Sequence, residues 1–164
     1  MSDILKPKLI LISGSPCVGK STVAEALFYS YENSAHLDDD WVWRVHPFSF
    51  SDPRNPNVYK NMAFVLSTYL NSDFAYVFVS SVRMISKIGR DTVLREITAE
   101  NFSTVGFTLT CSEETLTARH KARGDQGEVS FKWLHMEPCP GDFVMDTDGK
   151  TIAQIVNEMR SLIG

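Results

Sequence analysis

The stretch "GSPCVGKS", Gly14 to Ser21, constrains this chain more than any other part of it. It satisfies the pattern G-x-x-x-x-G-K-[ST], directly after the apolar run "KLILIS" (Lys8 to Ser13) and directly before a helical pattern. That context matters, because the motif is meaningful where a strand leads into it and a helix leaves it. Small residues let successive backbone N–H groups turn inward around an anion, and the helix N-terminus adds partial positive charge. We read Gly14, Ser15, Pro16, Cys17, Val18, Gly19, Lys20, Ser21 and Thr22 as a cradle for the phosphates of a nucleotide. Lys20 is expected to reach the β- and γ-phosphates and the Ser21 hydroxyl to ligate Mg²⁺. Cys17 is expected to be a small filler, although a helix N-terminus can lower a thiol's pKa.

Beyond the cradle, apolar runs alternate with helical patterns. From Lys20 to Tyr31, Val23, Leu27 and Tyr31 recur four apart on one stripe. "AHL" (Ala35 to Leu37) reads as a second strand, "FAYVFVS" (Phe74 to Ser80) as a third, "STVGFTLTC" (Ser103 to Cys111) as a fourth and "DFVMDT" (Asp142 to Thr147) as a fifth. Between them, Asn55 is expected to cap and Pro56 to start a helix carrying Val58, Met62, Val65, Leu66 and Tyr69. A helical region from Val82 to Glu100 is expected to break near Gly89. Ser112 is placed to cap a helix with Glu113 and Glu114 in its first turn, and Thr151 with Gln154 forms a capping-box pattern before the last helix. Strands interleaved with helices predict a parallel sheet covered on both faces, a single three-layer α/β domain over residues 1–164.

"HLDDDWVWRVHPF" (His36 to Phe48) is the second informative segment. Ligands of open α/β sheets bind outside the carboxyl ends of the strands, where Asp38, Asp39 and Asp40 emerge. Mg²⁺ takes few carboxylates together with water and phosphate oxygens, and an Asp commonly accepts the proton of an attacking hydroxyl in phosphoryl transfer. In an extended segment Asp38 and Asp40 share a face while Asp39 points away. Asp38 is therefore expected to support the metal and Asp40 to orient the acceptor. Trp41, Arg44 and His46 are candidates for a substrate pocket, since aromatic groups supply apolar walls and Arg holds carboxylate or phosphate bidentately. Trp41 and Trp43 suit the core equally well, and a lone His is more often structural.

Arg119 and Arg123 lie four apart on the helix that begins near Glu113, and Gly124 can end that helix. "RHKARGDQGE" then reads as a mobile polar lid over residues 120–135. An arginine carried to the γ-phosphate stabilises charge that develops in transfer. The alternative is surface pairing with Glu113, Glu114 or Asp125.

Composition excludes several other classes. Lys and Arg total 16 against 20 Asp and Glu, a formal net charge of −4, which disfavours a sequence-independent nucleic-acid binder. Cys17, Cys111 and Cys139 fit neither a disulfide framework nor a zinc site, and a reducing cytoplasm is the expected compartment. No apolar run reaches membrane-spanning length, and Met1 to Lys8 lacks the apolar core of a signal peptide.

With these residues in place, the chain resembles the small P-loop kinases: shikimate kinase, gluconate kinase, chloramphenicol phosphotransferase and the nucleoside monophosphate kinases. The resemblance rests on "GSPCVGKS", the acidic end of strand two, the Arg-bearing helix before a lid, and "VMDT" before the last helix. It implies a P-loop nucleoside triphosphate hydrolase fold with strand order 2-3-1-4-5 and a short lid that closes over ATP. "LDDDW" looks like the gluconate-kinase pattern L-D-G-D-F, and "WRVHPF" looks like uncharacterised bacterial kinase-like proteins, which bring no substrate. Strand three ends in "FVSSV", without the Asp of a standard Walker B, so metal support must come from strand two or from water. The implied activity is ATP- and Mg²⁺-dependent phosphotransfer to a small-molecule hydroxyl or a nucleotide. The alternative is a nucleotide-binding regulator with little transfer.

Overall fold

In the computed structural model, which describes residues 6–164, the apolar run after the N-terminus forms β1 (Lys8–Gly14). The expectation for the first eight residues lies in part outside the described residues, since residues 1–5 are not among them. β1 sits at the centre of the sheet, and its alternate residues face opposite layers. Ile10 and Ile12 pack on one side with Val23, Ala24 and Leu27 of α1 (Lys20–Ser30) and with Ile155 and Met159 of α5 (Ile152–Ile163). Leu9 and Leu11 pack on the other with Val58, Met62 and Leu66 of α2 (Asn57–Leu70) and with Val93 of α3 (Lys87–Glu96). A strand buried on both faces must be apolar at every position, and this is why "LILI" lacks the alternation of a half-exposed strand.

The remaining strands are β2 (Ser34–Asp38), β3 (Tyr76–Ser80), β4 (Ser103–Thr110) and β5 (Phe143–Asp146), all pairing in parallel in the order β2-β3-β1-β4-β5. The order implied by the resemblance is the order found. α4 (Glu113–Arg123) is capped by Ser112, whose side chain accepts from the Thr115 N–H, and is ended by Gly124 in the left-handed conformation. Thr151 and Gln154 form the expected capping box at the start of α5. Among the described residues no helix is long and apolar enough to cross a membrane.

Two local expectations are corrected. Asn55 does not cap α2: Pro56 takes the N-cap position, and the Asn55 side chain donates to the Phe50 carbonyl at 3.3 Å and accepts from Arg83 at 3.1 Å. A buried amide follows the partners that tertiary packing offers it, and here these lie beyond the helix end. The region after β3 breaks near Gly89, between a 3₁₀ turn and α3, but its helix stops short of Glu100. Val82–Met84 form a 3₁₀ turn, Ser86 caps α3 by accepting from the Gly89 N–H, and the helix ends at Glu96. Gly89 lies inside that first turn because a Cβ there would come within 2.2 Å of the Arg83 carbonyl oxygen.

Candidate active site

The loop from Gly14 to Gly19 has the backbone its composition suggests. Gly14 has φ +149°, and a Cβ at this position would meet the Leu109 carbonyl oxygen at 2.7 Å and a Val18 methyl at 2.8 Å. Cys17 takes the left-handed region at φ 66°, so the loop bends back over the start of α1. Val18 faces the core and is buried. Lys20 turns its ammonium across the loop and donates to the Ser15 carbonyl at 2.9 Å. Desolvation lowers the Lys20 pKa from its usual value, opposed by the charges of Asp39, Asp38 and Asp40. The Ser15 hydroxyl oxygen is buried and has no hydrogen-bond partner among the described residues. An orphaned hydroxyl in an amide-lined loop, beside a desolvated ammonium, fits a site whose ligand is an anion.

The acidic segment is tied to this loop by hydroxyls. Ser21 Oγ donates to Asp38 Oδ2 at 2.7 Å, and Ser80 Oγ donates to the same oxygen at 2.7 Å. Asp38 and Ser80 are register partners on β2 and β3. The carboxylate absent from the end of strand three is thus found one strand over, with Ser80 in the position beside it. His36 Nε2 lies 3.3 Å from Ser80 Oγ, and burial holds its pKa below the usual histidine value.

The alternation expected for the three aspartates does not hold. β2 ends at Asp38, whose side chain accepts from the Asp40 N–H at 3.1 Å and caps a 3₁₀ turn over Asp39–Trp41. A turn of about three residues swings Asp39 back toward the loop instead of away from it. One oxygen from each of Asp38, Asp39 and Asp40 lies within 4.8 Å of the others, a donor set of the hard oxygens that Mg²⁺ takes. Asp39 is buried, accepts from Ser81 Oγ at 2.6 Å and has Arg83 Nε at 3.5 Å. Burial raises its carboxyl to about 6, although the Ser81 hydrogen bond and the Arg83 charge oppose the shift.

These groups line one cleft of about 520 Å³, with Lys20, the three aspartates, Arg83, Arg119 and Arg123 around it and Phe48 and Phe50 on one wall. Arg119 donates to the Val18 carbonyl at 3.1 Å and to Thr147 Oγ1 at 2.8 Å, so it clasps the loop to the turn after β5. Arg123 is more exposed, reaching Cys17 Sγ at 3.6 Å and pairing with Asp125 at 3.3 Å. Glu113 pairs with His135 at 2.6 Å and not with either arginine. Residues 124–142 carry no helix or strand, and Trp133 from this segment meets Phe50 at 5.6 Å between ring centroids.

Of the substrate candidates, Asp38 and Asp40 line the cleft. Trp41 is exposed, sits edge-on to His36 and lines a smaller cavity of about 170 Å³ with Ser21, Glu25 and Asp40. Trp43 packs against the core. Arg44 and His46 are exposed and do not line the cleft. Asp39, Phe50, Ser80 and Arg83 are residues of the site that sequence reasoning left without a role.

The Zeta toxin family model matches residues 1–70, which hold the loop, the three aspartates and all of α2. No curated protein matches the chain. Among solved structures, the tunicamycin resistance protein of Deinococcus radiodurans is similar at 19% identity and a TM-score of 0.75, covering 96% of each chain. The APS kinase of Mycobacterium tuberculosis, solved with AMPPNP and APS, is similar at 15% identity and a TM-score of 0.70 over 96% of this chain and 97% of its own. A gluconokinase from Sinorhizobium meliloti 1021 is similar at 19% identity and a TM-score of 0.65 over 97% and 94%. The chain has the fold of the P-loop kinases, from the first described strand to the last helix.

Proposed function

We propose that this protein is an ATP-dependent phosphotransferase acting on a small-molecule hydroxyl with Mg²⁺. One arrangement carries the reading: a serine at the start of α1 and a strand-two aspartate joined at 2.7 Å, beside a lysine turned across an amide-lined loop. A surface loop without a ligand has no reason to bury an unpartnered Ser15 hydroxyl or to desolvate an ammonium.

In this reading Ser21 and Asp38 would hold Mg²⁺, which supplies charge neutralisation at the phosphate oxygens. The loop N–H groups and Lys20 bind the β- and γ-phosphates. Asp40, exposed at the mouth of the cleft, takes the proton from the acceptor hydroxyl. Arg119 fixes the loop against the turn after β5, which sets the base side of the nucleotide. Arg123, on the exposed end of α4 next to Cys17, meets the developing negative charge when residues 124–135 close. Such chemistry is mostly positioning and electrostatics, and water must be kept out.

Calorimetric titration with ATP, alone and with Mg²⁺, followed by an ADP-release assay across candidate acceptors, tests the proposal. Binding that strengthens with Mg²⁺, and ADP release that depends on an acceptor, is the expected result. Failure to bind ATP at millimolar concentration with Mg²⁺ present would exclude it.

A further inference from the structure

Phe48 and Phe50 line the cleft, and the cation beside them, Arg83, is already committed. Phe48 and Phe50 are 49% and 51% exposed, and their rings meet edge to face with centroids 4.9 Å apart. The Arg83 guanidinium lies 5.2 Å from the Phe50 centroid, donates to Asn55 Oδ1 at 3.1 Å and faces Asp39 at 3.5 Å. Two half-exposed phenylalanines at the mouth of a charged cleft leave apolar surface that a flat ring can cover.

The charges on this wall run against an anionic acceptor. Lys20 belongs to the loop, Arg119 is held by Val18 and Thr147, and Arg123 stands beside Cys17 and Asp125. Arg83 remains, facing Asp39 with Asp40 close by. An acceptor carboxylate or phosphate recruiting Arg83 would draw it away from the buried Asp39 that it faces at 3.5 Å, and disrupting a buried pair is costly. It would also stand against Asp40.

We infer that the acceptor is an uncharged molecule whose reactive hydroxyl is carried beside an aromatic or similarly flat apolar ring. This rests on the phosphotransfer reading above and specifies its substrate class. Phe50 is the residue that selects the ring, and Asp40 with the Arg83–Asp39 pair is the group that rejects acids.

Three matched probes test the inference by calorimetry on protein saturated with AMPPNP and Mg²⁺. p-Nitrophenyl β-glucoside carries hydroxyls and an aryl ring, p-nitrophenyl β-glucuronide adds a carboxylate, and methyl β-glucoside lacks the aryl ring. The glucoside with the ring is expected to bind at least tenfold more tightly than either of the others. Phe50→Ala is expected to lower that affinity at least tenfold, and Phe50→Tyr to restore it. Equal or tighter binding of the glucuronide or of the methyl glucoside overturns the inference, as does no binding of any probe to nucleotide-loaded protein. Failure to take up AMPPNP overturns the phosphotransfer reading and this inference together. Nucleotide uptake with the preferences reversed overturns the inference alone.

Discussion

Ser21 and Ser80 both donate to one oxygen of Asp38, each at 2.7 Å, so a helix start and two strand ends converge on a single carboxylate. If that carboxylate supports the metal, Asp38→Asn is expected to raise the Mg²⁺ concentration needed for half-maximal turnover by about tenfold or more, as for loss of an oriented metal partner. ATP titration without Mg²⁺ is expected to change little. An unaltered Mg²⁺ dependence would show that Asp38 only ties the strand to the loop.

Lys20→Ala is expected to leave the fold intact, because among the described residues the ammonium donates to the Ser15 carbonyl in its own loop. The loss falls on the ligand, with ATP affinity or turnover reduced by about 2 kcal/mol or more, within the range for charge-assisted hydrogen bonds. Circular dichroism checks the fold and calorimetry the affinity. Wild-type turnover would remove the loop from the mechanism.

Asp40→Asn separates the acceptor from the nucleotide. Turnover is expected to fall by about 10²-fold or more, the usual range for loss of a general base, while ATP affinity stays near wild type. Equal losses in both would move Asp40 into the metal's coordination shell.

Asp39 makes stability depend on pH with a definite sign. Its carboxyl is raised from 3.8 to about 6, so the folded chain holds that proton more tightly than the unfolded chain. The contribution is fully present below the unfolded value and is lost as pH rises through about 6. A shift of this size corresponds to about 2–3 kcal/mol. Asp39→Asn cannot ionise, so its stability relative to wild type is expected to improve by about that amount between pH 4 and pH 7. Denaturant unfolding at several pH values measures it, and a constant difference would mean the carboxyl titrates as it does in the unfolded chain. The Arg83 pairing is made by the ionised carboxylate alone, so it is already contained in the value of about 6 and adds no separate offset to the pH slope that is the readout.

Gly89→Ala sets helix propensity against packing. Alanine is favoured over glycine inside a helix by about 1 kcal/mol. Its Cβ would stand 2.2 Å from a backbone oxygen of Arg83, which must move. Overpacking of this kind costs about 1–3 kcal/mol and should win. The expected outcome is lower stability in denaturant together with weaker acceptor binding, since Arg83 shifts with its own backbone. A stabilised variant would show that the turn after β3 yields freely.

The parts of this protein legible in its sequence are those set by local chemistry. The loop from Gly14 to Ser21, the Ser112 cap, the Thr151–Gln154 box and the doubly buried β1 each follow from residues adjacent in the chain. The site was less legible where side chains answer to distant partners. Asp39 turns inward because Asp38 caps the residues after it and Ser81, from the loop after β3, supplies a hydroxyl. Arg83 lay within a stretch expected to be helical, and nothing adjacent announces its partners Asn55, Phe50 and Asp39. Ser80 is ordinary until β2 is laid beside β3.

The neighbouring positions of Asp38 and Ser80 mean that acid and hydroxyl could trade strands without leaving the mouth of the cleft. Parallel strands lie about 4.8 Å apart, so exchanging the two would move the negative charge by roughly that distance, toward the centre of the sheet. Ancestry aside, an inventory of sequences that demands the acid on the inner strand would discard chains built like this one, although a single lateral step separates the two designs.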